Sequence, residues 1–243
     1  YARRDPRFYL TIIYDGSTTP YVEGAINIHY DPSTKSFPKT KISGVDAEFG
    51  IEWGTTTKGY SNTGYYMRKM WSGARGDKDI KRYYHDPLVR LAEIYLNYAE
   101  CVNEAYGPNG QSSNCTITAL EAVNTVRRRI NMPDVRSEYT VSPDIFRERI
   151  RNERNIELAF EGNHYYFDIR RWKVAPESMG QTLMGMYIEK CEVSDQYPVG
   201  RKYERRAIPQ NRQSVWKDCM YWWPFPLEEA NKLMVFRNNE NWQ

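Results

Sequence analysis

At 243 residues the chain is long enough for one large domain or two small ones with a substantial buried core. Its 34 Lys and Arg stand against 31 Asp and Glu, a formal net charge of +3 that is too even for the basic stripe of a nucleic-acid binder. No run reaches the roughly 18 apolar residues that a membrane-spanning helix needs, and four cysteines without a CxxC pair, with His29, His85 and His164 far apart, give no zinc pattern.

In chain order, residues 1 to 85 are rich in Gly, Ser, Thr and Tyr and show little helical period. They read as irregular structure with short strands, one over Phe8–Tyr14, and with turns at Asp15-Gly16 and Asp31-Pro32. From Asp86 the pattern turns helical, with Asp86 as cap and Pro87 in the first turn. Leu88, Leu91, Ala92, Tyr95, Ala99 and Val102 share one face, and Ile94, Tyr98 and Cys101 form a second apolar strip, so the helix is expected to pack on two sides. Gly107-Pro108-Asn109-Gly110 ends it. A second helix starts at Thr118, which has capping-box spacing to Glu121, and buries Ala119, Ala122, Val123, Val126 and Ile130. A third is expected from the Ser142-Pro143 cap to Gly162, then a short aromatic helix over Tyr165–Trp172. Residues 175–220, with Pro176, Pro198 and Pro209, read as irregular. A last helix follows Pro226, where Glu228 and Glu229 suit the positive N-terminal end.

Two constellations carry chemistry. Glu153, Glu157 and Glu161 lie at i, i+4, i+8 on one helix stripe. Glycoside hydrolysis needs two carboxyls flanking the scissile bond, whereas neighbours on one helix face point the same way. Arg149 and Arg154 sit at pairing distance along the helix, with Asp168, Arg170 and Arg171 close behind in sequence. The expectation is a structural ion-pair network of Glu153, Arg154, Glu157, Glu161, Asp168, Arg170 and Arg171, with no catalytic residue. Neither a GxSxG elbow nor a phosphate-cradling glycine loop is present.

The second constellation is aromatic. Twenty Tyr, seven Trp and eight Phe make 14% of the chain. Tyr30, Trp53, Tyr60, Tyr65, Tyr66 and Trp71 sit among Gly, Ser, Thr and Asn. A flat ring covers the C–H face of a sugar while nearby polar groups bond its hydroxyls. Trp53, Tyr60 and Trp71, with Tyr30 and Tyr65, are therefore the candidate platforms, and Asp46 and Asn62 the candidate hydroxyl partners; each ring taken singly is more readily a loop anchor.

Several segments together resemble one family. Arg90-Leu91-Ala92-Glu93-Ile94-Tyr95-Leu96-Asn97-Tyr98-Ala99-Glu100 is similar to the RLAE-x-YL-x-YAE helix of the SusD/RagB family. Asn124-Thr125-Val126-Arg127-Arg128-Arg129, the run from Glu153 to Gly162, Asp168-Ile169-Arg170-Arg171-Trp172 and Trp223-Pro224-Phe225-Pro226 resemble its later motifs in order, and Asp5-Pro6-Arg7 its upstream DPR. His164 stands where the family usually has Arg. The resemblance implies a mainly α, SusD-like helical fold with repeat-like helix pairs, long irregular loops and short strands. It implies a single SusD-like region over 1–243, with an N-terminal portion of the native chain lying outside it. It further implies a lipid-anchored protein on the cell-surface side of an outer membrane that captures glycan for a SusC-like TonB-dependent transporter, with oligopeptide capture or a helical interaction module as the alternatives. No cofactor is expected; calcium would leave no trace in the sequence. Cys101, Cys115, Cys191 and Cys219 are open to disulfide pairing or to remaining free.

Overall fold

The computed structural model describes residues 1, 3–42, 45–50, 60–71, 87–232, 238, 239 and 242. The chain opens with helix α1 (Pro6–Thr11), not with the expected strand. The Asp5 carboxylate accepts the Arg7 N–H and Pro6 holds the first position, so the cap overrides the strand preference of the aromatic run. Strand character survives only in β1 (Ile12–Ile13). There follow β2 (Val22–Glu23), β3 (Lys39–Ile42), β4 (Val45–Glu48) and β5 (Tyr66–Met67). β1 pairs with β5, and β2-β3-β4 form an antiparallel three-stranded sheet.

The helical part holds α2 (Leu91–Tyr106), α3 (Ala119–Arg128), α4 (Pro143–Glu157), α5 (His164–Arg171) and α6 (Ala175–Met179). Asp86 lies outside the described residues, and α2 begins at Leu91 with Arg90 as its cap residue. Leu88 and Leu91 stay exposed, so the expected first face of α2 is shifted: Leu96, Ala99, Val102 and Asn103 are its buried positions. α3 forms with the expected cap, the Thr118 hydroxyl accepting the Glu121 N–H, and with Ala119, Ala122, Val123 and Val126 buried, whereas Ile130, expected on the same face, falls beyond the helix end at Arg128 and is half-buried. α4 starts at its Ser142 cap but stops at Glu157, before Phe160 and Asn163 take positive φ.

Residues 175–220, expected to be irregular, contain the longest strand pair among the described residues. β6 (Met184–Lys190) and β7 (Arg201–Ala207) run antiparallel, with Tyr187 opposite Glu204 and Glu189 opposite Lys202. Pro198 falls in the connection and Pro209 after the second strand, so both mark the ends of the hairpin. α7 (Leu227–Ala230) is the last element among the described residues. The fold is thus mixed, with seven α-helices and three small sheets among the described residues.

Two apolar cores result. One gathers Ile13, Val22, Ile26, Ile28, Ala47, Phe49 and Ile188, with Phe37, Tyr66, Trp71 and Met186 packed against it. The other lies between α2, α3 and α4 and is built from Leu96, Ala99, Val102, Ala119, Ala122, Val123, Val126, Phe146 and Ile150. Cys101, Cys115, Cys191 and Cys219 are free thiols. No helix among the described residues is long and apolar enough to cross a membrane.

Candidate functional site

Glu153 and Glu157 on α4, with Glu161 beyond the end of the helix, are the joint between the two parts of the chain. Glu153 accepts hydrogen bonds from Arg7 at 2.6 Å and Arg127 at 2.7 Å. Glu157 accepts from Arg7 at 2.9 Å, Arg90 at 2.6 Å and Arg129 at 2.8 Å. Glu161 is bridged by Arg90 at 2.6 Å and Lys69 at 2.5 Å. These partners come from distant segments; the neighbour expected for Glu153, Arg149, instead lies over the Tyr139 ring at 3.8 Å. Arg154 donates to Asp168 at 2.6 Å and to Asn97 at 2.6 Å, and Arg171 joins Asp168 to Glu100. Arg170 is placed differently from the rest: it stacks on Tyr166 at 3.5 Å and Trp216 at 5.1 Å. Its Nη1 also donates to the Tyr166 carbonyl at 2.9 Å, and a planar guanidinium stacks favourably on a ring face.

Burial pushes the Glu157 and Glu161 carboxyls up, but the hydrogen bonds from Arg90, Arg7 and Lys69 prevail and hold both below the usual value of 4.5. Each is therefore ionised and engaged near neutrality, and neither is poised as a proton donor. Among the described residues, no group of three or more His, Cys, Asp or Glu is placed to hold a metal ion. The lowered values also fix a sign for pH dependence. A carboxyl depressed in the folded state contributes stability that is fully present above its unfolded value and is lost as pH falls through the folded value. Thermal unfolding should accordingly give a Tm insensitive to these two groups above 4.5 and a falling Tm below it. A Glu157→Gln variant should show a shallower acid slope; an unchanged slope would remove Glu157 from the cause.

The other constellation forms on the outward face of the hairpin. Side chains alternate along a strand, so Met186 and Ile188 enter the core while Tyr187, Glu189, Lys202, Glu204 and Arg206 share the opposite face. Tyr30 is bridged to Glu189 in parallel, its N–H donating to the Ile188 carbonyl at 2.8 Å and its carbonyl accepting from Lys190 at 2.8 Å. Its ring meets Phe37 at 5.7 Å, and Phe37 meets Tyr60 at 5.4 Å. The Tyr60 ring rests on Gly50, where a Cβ would lie 2.7 Å from it, and its hydroxyl donates to Glu48.

Polar groups edge this row of rings. Arg206 lies over the Tyr187 ring at 4.0 Å and bonds Glu204 at 2.6 Å. The Tyr187 hydroxyl donates to Glu189 at 3.3 Å, and Lys190 pairs with Asp31 at 2.7 Å. Burial, and then the Glu189 carboxylate, push the Tyr187 phenol up, so it remains a protonated donor. The segment through Asn62 and Thr63 crosses the same face at Gly185, where a Cβ would lie 2.7 Å from the Asn62 carbonyl oxygen; the Met186 N–H donates to the Thr63 carbonyl at 2.9 Å. Chemically the arrangement offers ring surfaces bordered by carboxylates, a guanidinium and phenolic donors.

The structure links Tyr30 to Tyr60 through Phe37, which also packs against the first core, sets the Asn62 backbone against Gly185 of the hairpin, and distributes the other candidates. Tyr65 is edge-on to Tyr1 at 6.2 Å, and Tyr1 also meets Tyr203 at 5.7 Å, in a separate cluster with Phe8 and Tyr14. Trp71 is edge-on to Tyr21 and Phe49 and packs against the first core. Trp53 lies outside the described residues, and Asp46 is placed only by its backbone in β4. Phe37, Tyr187, Glu189 and Arg206 were not legible as site residues in the sequence. The signal for Tyr187 and Glu189 was their two-residue alternation with Met184, Met186 and Ile188; β7 carries no such signal for Arg206.

A family model described as the SusD family matches residues 1–242. The SusD-like protein P25 of Formosa agariphila is 34% identical over 113 residues, which are 45% of this chain and 19% of that protein. The crystal structure of a SusD-like protein from Bacteroides fragilis superposes with a TM-score of 0.68 at 29% identity, covering 100% of this chain and 40% of that one. A SusD-like carbohydrate binding protein of the same organism gives 0.64 at 31% identity, covering 95% of this chain and 41% of its own length. The chain belongs to the SusD family and has a SusD-like fold, and it spans about two fifths of the solved relatives it matches.

Proposed function

We propose that this SusD-family chain is part of a glycan-capture protein that delivers oligo- or polysaccharide to a SusC-like, TonB-dependent transporter. The whole protein would be mainly helical, with repeat-like helix pairs, and would sit on the cell-surface side of an outer membrane through a lipid anchor, as a binding protein and not as an enzyme. The observation that carries this reading is the row Tyr30–Phe37–Tyr60 beside Tyr187, with Glu48, Glu189 and Arg206 at its edges. Rings with one apolar face and one polar border suit the two-sided chemistry of a sugar ring. The similarity to a SusD-like carbohydrate binding protein supports the same class of ligand.

The test is calorimetry and intrinsic tryptophan fluorescence of the full-length polypeptide against a panel of oligosaccharides, with mixed peptides as the other arm. Saturable sugar binding is expected. Tyr30→Ala and Tyr60→Ala, each with an unchanged circular-dichroism spectrum, should weaken it by about tenfold, or ~1.4 kcal/mol. Unchanged affinity in both variants would remove the row from the site, and saturation by peptides alone would replace glycan with peptide as the ligand.

A further inference from the structure

Between the α3–α4 turn and the middle of α4 lies a cleft of about 260 Å³, near the lower end of the range for small-molecule sites. Its walls are set by local sequence. α3 stops at Arg128, Asn131 takes a positive φ of 58°, and the chain turns back. The buried Asn124 side chain accepts the Val135 N–H at 2.9 Å, and Arg127 donates to the Pro133 carbonyl at 2.8 Å, so the turn is pinned to α3 on both sides of Asp134. Met132, Pro133 and Val135 give the cleft an apolar wall. Tyr139, which ends a 3-10 turn over Ser137–Tyr139, and Arg149 and Asn152 of α4 complete it.

The donors of this cleft have hydrogen-bonding capacity to spare. Arg149 lies over the Tyr139 ring at 3.8 Å. Stacking holds a guanidinium flat and leaves unspent its in-plane N–H edge, which can pair with two oxygens of a carboxylate, sulfate or phosphate. Asn152 sits about one turn further along α4, and Arg136 lines the same space, 3.8 Å from Glu138 and so beyond hydrogen-bond reach. Among the described residues, neither Arg149 nor Asn152 has a hydrogen-bond partner for its side chain. The two carboxylates of the lining are already matched, Asp134 by Arg128 and Glu153 by Arg7 and Arg127. The cleft is left with an excess of positive charge at Arg149 and Arg136.

We propose that this cleft binds a small oxyanion (a carboxylate, sulfate or phosphate monoester) carried on a compact body that packs on Met132, Pro133 and Val135. Arg149 supplies the bidentate pairing, Asn152 a neutral donor and Arg136 a second charge. The stacked guanidinium and the pinned turn are ordered before the ligand arrives, which lowers the cost of binding. The site uses none of the residues of the Tyr30–Phe37–Tyr60 row and does not depend on it. An acidic monosaccharide and a free inorganic anion share this chemistry, and their sizes separate them.

Phenylglyoxal modification of the full-length polypeptide, read by peptide mass spectrometry, reports on Arg149 directly. Saturating glucuronate or glucose 6-sulfate should slow modification of Arg149 by roughly tenfold, while glucose, a neutral ring of similar size, should leave the rate unchanged. Protection by the sugar acids at about tenfold lower concentration than by inorganic phosphate would assign the site to an acidic sugar. Equal protection by inorganic phosphate would assign it to a free anion, and either result supports an oxyanion site. Arg149→Lys keeps the charge, loses the planar fork and should weaken glucuronate binding in calorimetry by about tenfold. Wild-type affinity in that variant would overturn the role given to Arg149. Absence of protection by all three anions, or protection by glucose as strong as by glucuronate, would overturn the site.

Discussion

Glu157→Ala is expected to lower the unfolding free energy by about 3–5 kcal/mol, the cost of removing one partner from a buried ion pair. Glu157 is 2% exposed and Arg7 5% exposed, so the pair is screened by neither water nor salt. Removing the carboxylate leaves Arg7 with Asp5 and Glu153, Arg90 with Glu161 and the backbone carbonyl of residue 157, and Arg129 with no acceptor at this site. Arg129 is more than half exposed, so its loss adds little. The cost falls mainly on Arg7, whose buried N–H group loses an acceptor that no water replaces; Arg90, about a quarter exposed, loses less. Urea denaturation of wild type and variant at neutral pH measures the difference as a shift in midpoint at unchanged slope. A cycle with Arg7→Met separates the pair from its surroundings: a coupling of about 0.5–3 kcal/mol is expected for groups in one network. Additive single effects would make the stripe a set of independent contacts.

How much of this was readable from the sequence depends on the range of the interaction. α3 was legible because everything that makes it is local: the Thr118 cap, the Glu121 N–H and an apolar face at helical spacing. The ion-pair stripe was legible in kind and not in detail. Spacing along α4 pointed to Arg149 and Arg154, but Glu157 is bound by Arg7 from 150 positions away, and a local pattern carries no information about such a partner. The hairpin was hidden for a different reason. β7 reads Arg-Lys-Tyr-Glu-Arg-Arg-Ala and leaves no residue buried, so it lacks the apolar alternation that betrays a strand, and its pairing with β6 supplies the missing cause. Because Tyr187, Glu189 and Arg206 all ride on that hairpin, missing it meant missing half of the candidate site.

The second apolar strip of α2 inverts the pattern. The sequence reads Ile94, Tyr98 and Cys101 as a face to be packed, and the fold of these residues leaves Ile94 and Cys101 exposed. The local signal was sound as chemistry, since that spacing specifies an apolar strip wherever the helix sits. What it could not specify was whether the strip would be covered within this stretch of chain.

Phe146→Ala is expected to cost about 3–5 kcal/mol for a reason unconnected with charge. Phe146 is 0% exposed and lies with Leu96, Ala99, Val123 and Ile150 between three helices, so truncation opens a cavity that α2 and α3 can only partly close. Phe146→Leu keeps most of the volume and should cost less than about 1.5 kcal/mol. The comparison with Glu157 tests how α4 is built. Its buried side begins with Phe146 and Ile150 and continues with Glu153, Arg154 and Glu157, so one helix face serves an apolar core in its first turns and an ion-pair joint in its last. At 1.5 Å rise per residue, the two positions are about 16 Å apart along the axis, beyond the ~7–10 Å within which side chains usually couple. Combining the milder changes Phe146→Leu and Glu157→Gln should therefore give the sum of the single effects to within ~0.5 kcal/mol in urea denaturation. A larger departure would mean that α4 shifts as a rigid rod when either end is weakened, and that the core and the ion-pair joint are one cooperative unit.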